Sequence, residues 1–315
     1  MATKKSKTSS KSSTKAKTTK PKAAAKPAVK SEIEAPKTKT AEVKTTSATK
    51  ETTKKSCLCG FFAKKYDENE SFLTVFKTPK FYGALLGEVI GTMLIALLFF
   101  AASLMGLHTI ATYAIALIAI LVGIYAFSGA CLNPLVSVGM MASRRLSVVR
   151  GIMYIIAEII GAWLGWLIFN AFHLAGGETA YEIPTMSAIA ENGFWIVALL
   201  ELLGAAIIAF SFARALKYKR SVFTFAAVVS GGIALAMVIG YVVSAAFLGL
   251  NNNFIFNPAL AMMYQIFPTT GDSFGEIIGG VFQALSAYAI IPMIGGVIGF
   301  YLSDFTAKLS GSSEE

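Results

Sequence analysis

Two asparagine–proline pairs hold the residues of this sequence best suited to chemistry, Asn133-Pro134-Leu135 and Asn257-Pro258-Ala259. Asparagine is a strong helix N-cap, because its side-chain oxygen accepts a hydrogen bond from the first turn. Proline fits the next position, where no N–H is required. Each pair therefore predicts a helix start, and each asparagine keeps an NH2 group able to donate. Apolar runs follow, 136–142 and 259–267, the second ending at Pro268. A helix of that length covers about 15 Å, half of the roughly 30 Å hydrocarbon core of a bilayer. A helix N-terminus carries roughly half a positive charge and unsatisfied N–H donors. Two such ends facing each other would repel cations, hydronium included, while Asn133 and Asn257 donate to a passing oxygen atom. That chemistry suits small uncharged hydroxylic solutes. Two ordinary capped surface helices are the competing reading, and the apolar runs are too greasy for it.

The elements that must position these pairs are membrane spans. Of the 315 residues, 55% are hydrophobic, too many for an ordinary soluble protein. Six segments are long and apolar enough to cross a bilayer: 81–107, 110–127, 148–172, 194–216, 222–248 and 283–305. Several carry the small residues of close helix contacts in lipid, among them Gly161 and Gly165, and Gly295, Gly296 and Gly299. Basic residues mark orientation. The connection after the second span has Arg144, Arg145 and Arg150, and the one after the fourth has Arg214, Lys217, Lys219 and Arg220. The loop 173–193 has Glu178, Glu182 and Glu191 instead. Both termini and the basic loops are therefore expected in the cytoplasm.

The two halves match. Spans one to three, with a short helix after span two, mirror spans four to six, with a short helix after span five. An odd number of spans per half turns the second half upside down, so the short helices enter from opposite faces and meet near the midplane. Inverted repeats with interrupted helices point to a solute path. The expected fold is an all-α membrane protein of six transmembrane helices plus two re-entrant half-helices, an inverted 3+3 repeat. Each first span carries one acid, Glu88 or Glu201. Their expected role is to accept hydrogen bonds from re-entrant backbone that lipid cannot satisfy. Glu158 is a third intramembrane acid, with a proton relay as its other reading.

The N-terminal region is a different polymer. Residues 1–80 hold twenty lysines and seven acids, whereas 81–315 hold eight basic and eleven acidic side chains. Built of Lys, Thr, Ser, Ala and Pro, the tail cannot bury enough surface to offset its ordering entropy and is expected to be disordered. It reads as a solvated segment that fixes topology; contact with anionic lipid head groups or nucleic acid is a second reading, and no nucleic-acid partner is expected. Cys57 and Cys59 lack further ligands for zinc and are read as free or lipidated thiols, and three cysteines give no disulfide framework. The two histidines, His108 and His173, fall in expected outer loops without metal-ligand spacing. No enzyme motif, cofactor or metal site is expected.

These residues resemble the aquaporin (major intrinsic protein) family over about residues 81–306. Ser128-Gly129-Ala130-Cys131-Leu132-Asn133-Pro134-Leu135 is similar to its first Asn-Pro-Ala box, with Leu135 for Ala and Cys131 where His is common. Phe256-Asn257-Pro258-Ala259 is similar to the second. Ala157-Glu158-Ile159-Ile160-Gly161-Ala162 resembles the third span, where Gln is usual, and Pro292-Met293-Ile294-Gly295-Gly296 the start of the sixth. The resemblance divides the chain into a cytoplasmic tail with a juxtamembrane segment (1–80), a channel domain (81–306) and a short cytoplasmic C-terminal tail (307–315). It implies a multi-pass protein of the plasma or inner membrane, a homotetramer with one pore per subunit.

It also implies a four-residue filter. Counting from each asparagine, the filter is Tyr113, twenty before Asn133; Ala245 and Phe254, twelve and three before Asn257; and Leu260, where Arg is usual. An aromatic, a small residue and Phe resemble the glycerol-conducting branch. No Lys or Arg lies between Arg220 and Lys308 to replace the missing guanidinium. Cys131 is expected near the pore, as a thiol-reagent target or a small apolar filler. The expected function is passive conduction of glycerol, water and related neutral molecules. Three readings stand beside it: a water- or gas-permeable pore with little polyol flux, a proton-coupled transporter using Glu158, and a non-conducting relative plugged by Leu135 and Leu260.

Overall fold

The computed structural model of the chain describes residues 75–103, 109–177, 193–217, 221–247, 254–266 and 273–311. Expectations for the tail before residue 75, for Cys57, Cys59 and His108, and for the acidic loop residues Glu178, Glu182 and Glu191 lie outside the described residues. The helices are α1 Pro79–Ser103, α2 Thr109–Ser128, α3 Pro134–Ala142, α4 Val148–Ala175, α5 Phe194–Lys217, α6 Val222–Phe247, α7 Pro258–Ala261, α8 Phe274–Leu285 and α9 Ile291–Leu309. Six stretches are long and apolar enough to span a membrane, the last running from Phe274 to Leu309.

The described helices are apolar on the outside and packed with small residues within. On α4, Ile152, Ile156, Ile160, Trp163 and Leu167 form an exposed stripe at helical spacing. In water that stripe would be a liability; in a bilayer it is the lipid-facing side. The opposite side carries Gly161 and Gly165, which lie against the carbonyl oxygens of Val89 and Met93 on α1. Gly295 and Gly299 on α9 lie against those of Leu202 and Ala206 on α5. A Cβ at any of the four would overlap a carbonyl oxygen. The contacted carbonyls sit one and five residues after Glu88 in one half and after Glu201 in the other. The same helix crossing is thus built twice.

The half-helices fill the centre. Leu135, Val136, Met140, Ala259, Leu260 and Ala261 are all buried. Helix α3 seats on α9, where Gly296 meets the Leu135 carbonyl and Gly139 meets the Phe300 ring. At the far end of α3, the Tyr301 hydroxyl donates to the Ala142 carbonyl at 2.9 Å. Asp304 on α9 pairs with Arg145 from the α3–α4 connection at 2.5 Å and with Lys217 at the end of α5 at 2.7 Å. Arg145 also lies 5.5 Å from the Phe300 ring centre.

Four features differ from the sequence expectation. The second half-helix is not regular: after α7 the chain forms a π-helical turn, Met262–Ile266. The sixth span starts earlier than 283, at Phe274, where Ser273 and Glu276 form a capping box. It passes through a second π-helical turn, Ser286–Ile290, just before Pro292, and continues to Leu309 beyond the expected end of the span at 305. A proline removes one N–H and crowds the preceding turn, and widening that turn relieves both. His173 is not in a loop but in the last turn of α4.

Candidate functional site

The loops that deliver the asparagines are strained, and buried acids hold them. In the first, Gly129, Ala130 and Leu132 have φ of 87°, 57° and 52°; in the second, Phe256 has φ of 53°. Left-handed backbone costs a non-glycine residue about 1–3 kcal/mol. Glu88 accepts from the Cys131 and Leu132 N–H groups at 3.1 and 2.6 Å. Glu201 accepts from Ile255 at 2.5 Å and from Phe256 at 3.0 Å. Both acids are fully buried. Each carboxyl group thus holds two consecutive backbone N–H groups, and each such bond contributes about 0.5–1.5 kcal/mol net against the cost of the turn. One turn after each acid comes a glycine: Gly91 receives the Leu132 side chain and Gly204 the Phe256 ring. The residue preceding each asparagine is therefore fixed by its backbone and its side chain together.

Each asparagine then caps its helix. Asn133 Oδ1 accepts from Leu135 N–H at 3.2 Å, and Asn257 Oδ1 from Ala259 N–H at 3.0 Å. The amides do not both point wholly into open space, as the sequence suggested. Asn133 Nδ2 donates to the Phe256 carbonyl at 2.8 Å, and Asn257 Nδ2 to the Leu132 carbonyl at 3.2 Å. An amide has two N–H groups, so each asparagine commits one to the opposite loop and retains one. Glu158 stands behind the first loop and accepts from Asn133 N–H at 3.1 Å and from the Ser137 hydroxyl at 2.8 Å.

A narrow lumen runs past these groups, walled by α1, α2, α5, α6, the two loops and the first turns of α3 and α7. Asn133, Asn257, Tyr113 and Cys131 are its polar side chains, and the rest are aliphatic or aromatic. Tyr113, Phe254 and Leu260, expected as filter residues, line it; Ala245, half-buried near the end of α6, is not among the lining residues. Leu135 is not either, being buried against α9. Cys131 lines it, its thiol donating to the Met140 thioether at 3.9 Å. Around Tyr113 the rings of Phe99 and Tyr264 stack edge-on, with Phe99 6.5 Å from Tyr113 and 5.9 Å from Tyr264.

Sequence reasoning missed the wall residues of the first span of each half. Ile95 and Phe99 lie seven and eleven residues after Glu88, and Ile208 and Phe212 lie seven and eleven after Glu201. The signal was available: two and three helical turns beyond each acid return to the same face. Among the described residues no group of three or more His, Cys, Asp or Glu side chains could hold a metal ion.

Two inverted three-span halves, each sending a half-helix to a shared lumen, define a membrane channel rather than an enzyme. The family model described as Major intrinsic protein matches residues 75–302, and the chain belongs to that family. It is similar to a protein described as probable aquaporin AqpM from Archaeoglobus fulgidus, at 25% identity over 196 residues, 62% of this chain and 74% of the relative. The fold is similar to that of the aquaglyceroporin from Plasmodium falciparum, with a TM-score of 0.50, 18% identity, and coverage of 73% of this chain and 97% of that one.

Proposed function

We propose that this chain conducts small uncharged solutes passively, water and glycerol first, and turns protons away at the meeting of its two half-helices. The observation that carries this reading is the remaining N–H of Asn133 and of Asn257, two donors beside a lumen that is otherwise almost wholly apolar. A solute oxygen can accept from both while its other contacts are with hydrocarbon. The N-terminal ends of α3 and α7 add positive potential at the same point, which disfavours a hopping proton. Leu260 in the wall, with no basic side chain among the described lining residues, makes the mouth near Tyr113 and Phe254 less polar than an arginine would. Tolerance of weakly polar neutral solutes follows, and the barrier to cations rests on the centre.

The reading includes a homotetramer with one lumen per subunit in the plasma or inner membrane, with cytoplasmic termini. The ion pairs of Asp304 support the topology, since they gather Arg145, Lys217 and the end of α9 on one face. Stopped-flow permeability of proteoliposomes to water, glycerol and urea tests the proposal. Gradient-driven flux with weak temperature dependence is expected. Saturable flux that requires a proton gradient would instead assign a coupled transporter.

A further inference from the structure

The half of the repeat that carries Asn133 differs from the other half by an additional acid. Glu88 on α1 and Glu158 on α4 are both fully buried, and their carboxyl groups lie within hydrogen-bonding range of each other. The glycines that pack α4 and α9 put Glu158 in the register occupied by Pro292 in the second half, so Glu201 has no such neighbour from α9.

One carboxyl oxygen of this pair lacks a donor among the described residues. Glu88 receives the Cys131 and Leu132 N–H groups and the Ser128 hydroxyl. Glu158 Oε1 receives the Asn133 N–H and the Ser137 hydroxyl. Glu158 Oε2 is buried with no N–H or O–H partner among the described residues. Neither acid forms an ion pair there. Two ionised carboxylates in contact, away from water and without a cation, repel strongly, and a single proton removes the conflict. Three donors already stabilise Glu88 as the carboxylate. The oxygen that lacks a donor belongs to Glu158.

We infer that Glu158 is a neutral carboxylic acid whose Oε2 hydroxyl donates to the Glu88 carboxylate, and that this hydrogen bond positions the loop carrying Asn133. One proton then satisfies all four carboxyl oxygens. Glu158 holds Asn133 N–H and Ser137 of α3 from behind, while Glu88 holds the two preceding N–H groups. Together they clamp three consecutive backbone donors and so set where the Asn133 amide meets the lumen. Glu158 is a positioning residue: it does not line the lumen and does not touch solute. The other titratable groups beside the pair are the Cys131 thiol, bonded to Met140, and Tyr154, whose hydroxyl donates to the Ser128 carbonyl. Neither carries the proton onward, so the proton is structural.

Infrared spectra of the purified full chain in lipid at about pH 8, where exposed carboxyl groups are ionised, test this. The wild-type spectrum minus that of Glu158→Gln should contain a protonated-carboxyl C=O band, and a Glu201→Gln chain should keep that band. Glu88, Glu158 and Glu201 are the buried acids among the described residues, so a band kept in Glu201→Gln places the proton on the Glu88–Glu158 pair even if Glu158→Gln fails to insert, and loss of the band in Glu158→Gln assigns it to Glu158. In proteoliposomes Glu158→Leu, which leaves N–H and O–H donors unpaired, should lose about tenfold in water permeability. Glu158→Gln, whose amide can donate to Glu88 and accept from Asn133, should restore most of it. A wild type without the band, a band that vanishes in Glu201→Gln, or a Glu158→Leu variant that conducts normally would overturn the inference.

Discussion

Asn133 and Asn257 are cross-bonded: each gives an amide hydrogen to the carbonyl that immediately precedes the other, Phe256 at 2.8 Å and Leu132 at 3.2 Å. The two halves of the repeat are thus joined at their centre by direct polar bonds, and not only by packing. Each side-chain amide is held at its oxygen by its own helix and at its nitrogen by the opposite loop. Its last N–H has little freedom left. Donors fixed in this way need no reorganisation when a solute arrives.

That relationship makes Asn257→Asp informative. Aspartate caps as well as asparagine, so α7 still starts at Pro258. It cannot donate, however, and it sets a charged acceptor against the Leu132 carbonyl while adding negative charge at the centre. Water permeability should fall about tenfold, the size of one lost hydrogen bond to a buried carbonyl. Proton leak, read with a pH-sensitive dye inside the vesicles, should rise. Unchanged permeability with unchanged leak would mean that this amide is not a pore donor.

Asparagine–proline starts, the two acids and the span count were legible in the sequence, because each is a local exception within an apolar chain. The cross-bonds were not. They depend on left-handed backbone at Leu132 and Phe256, which neither residue type favours and which only the buried acids and the facing glycines impose. The lumen stripe Ile95 and Phe99 was hidden for a different reason: α1 is apolar on nearly every side, so periodicity cannot separate lumen from lipid. Ala245 was reached by counting twelve residues back from Asn257, past the end of α6 at Phe247. A count across a chain connection does not carry helical phase, and Ala245 is not among the residues that line the lumen around Asn133 and Asn257.

Glu201→Leu should destabilise the protein more than its volume change implies. It leaves the Ile255 and Phe256 N–H groups buried and unpaired, at about 1–3 kcal/mol each, beside a backbone already in a costly conformation. Thermal unfolding followed in detergent should shift down by several degrees, and glycerol and water permeability should fall together because the Asn257 loop loses its anchor. A variant with wild-type stability would show that other groups hold this loop.

Cys131 gives a chemical probe of the lumen. Its thiol is buried against Met140 yet lies on the wall beside Asn133. A mercurial adduct there has no direction to expand except into the path. Permeability should drop sharply on treatment, recover with excess thiol, and become insensitive in Cys131→Ser. Persistent block in Cys131→Ser would trace the effect to Cys57 or Cys59.

The sharpest test of selectivity is Leu260→Arg. Leu260 is 1% exposed, follows the Asn257-Pro258-Ala259 start directly, and faces a lumen that also holds Tyr113 and Phe254. With leucine, the side-chain polar group at this mouth is the Tyr113 hydroxyl, and a solute entering it exchanges water for hydrocarbon and aromatic surface. That exchange costs least for molecules with few hydrogen-bonding groups. Arginine would add five N–H donors and a fixed positive charge. Strongly hydrogen-bonding solutes would then regain partners, weakly polar ones would gain nothing and lose cross-section, and cations would meet a second barrier. Relative to water, permeability to weakly polar neutral solutes should therefore fall severalfold, and residual cation leak should fall with it. The order of glycerol, urea and a less polar amide should change in stopped-flow assays. An unchanged order in a correctly inserted Leu260→Arg chain would remove Leu260 from the filter and leave the central asparagines as the sole determinant of selectivity.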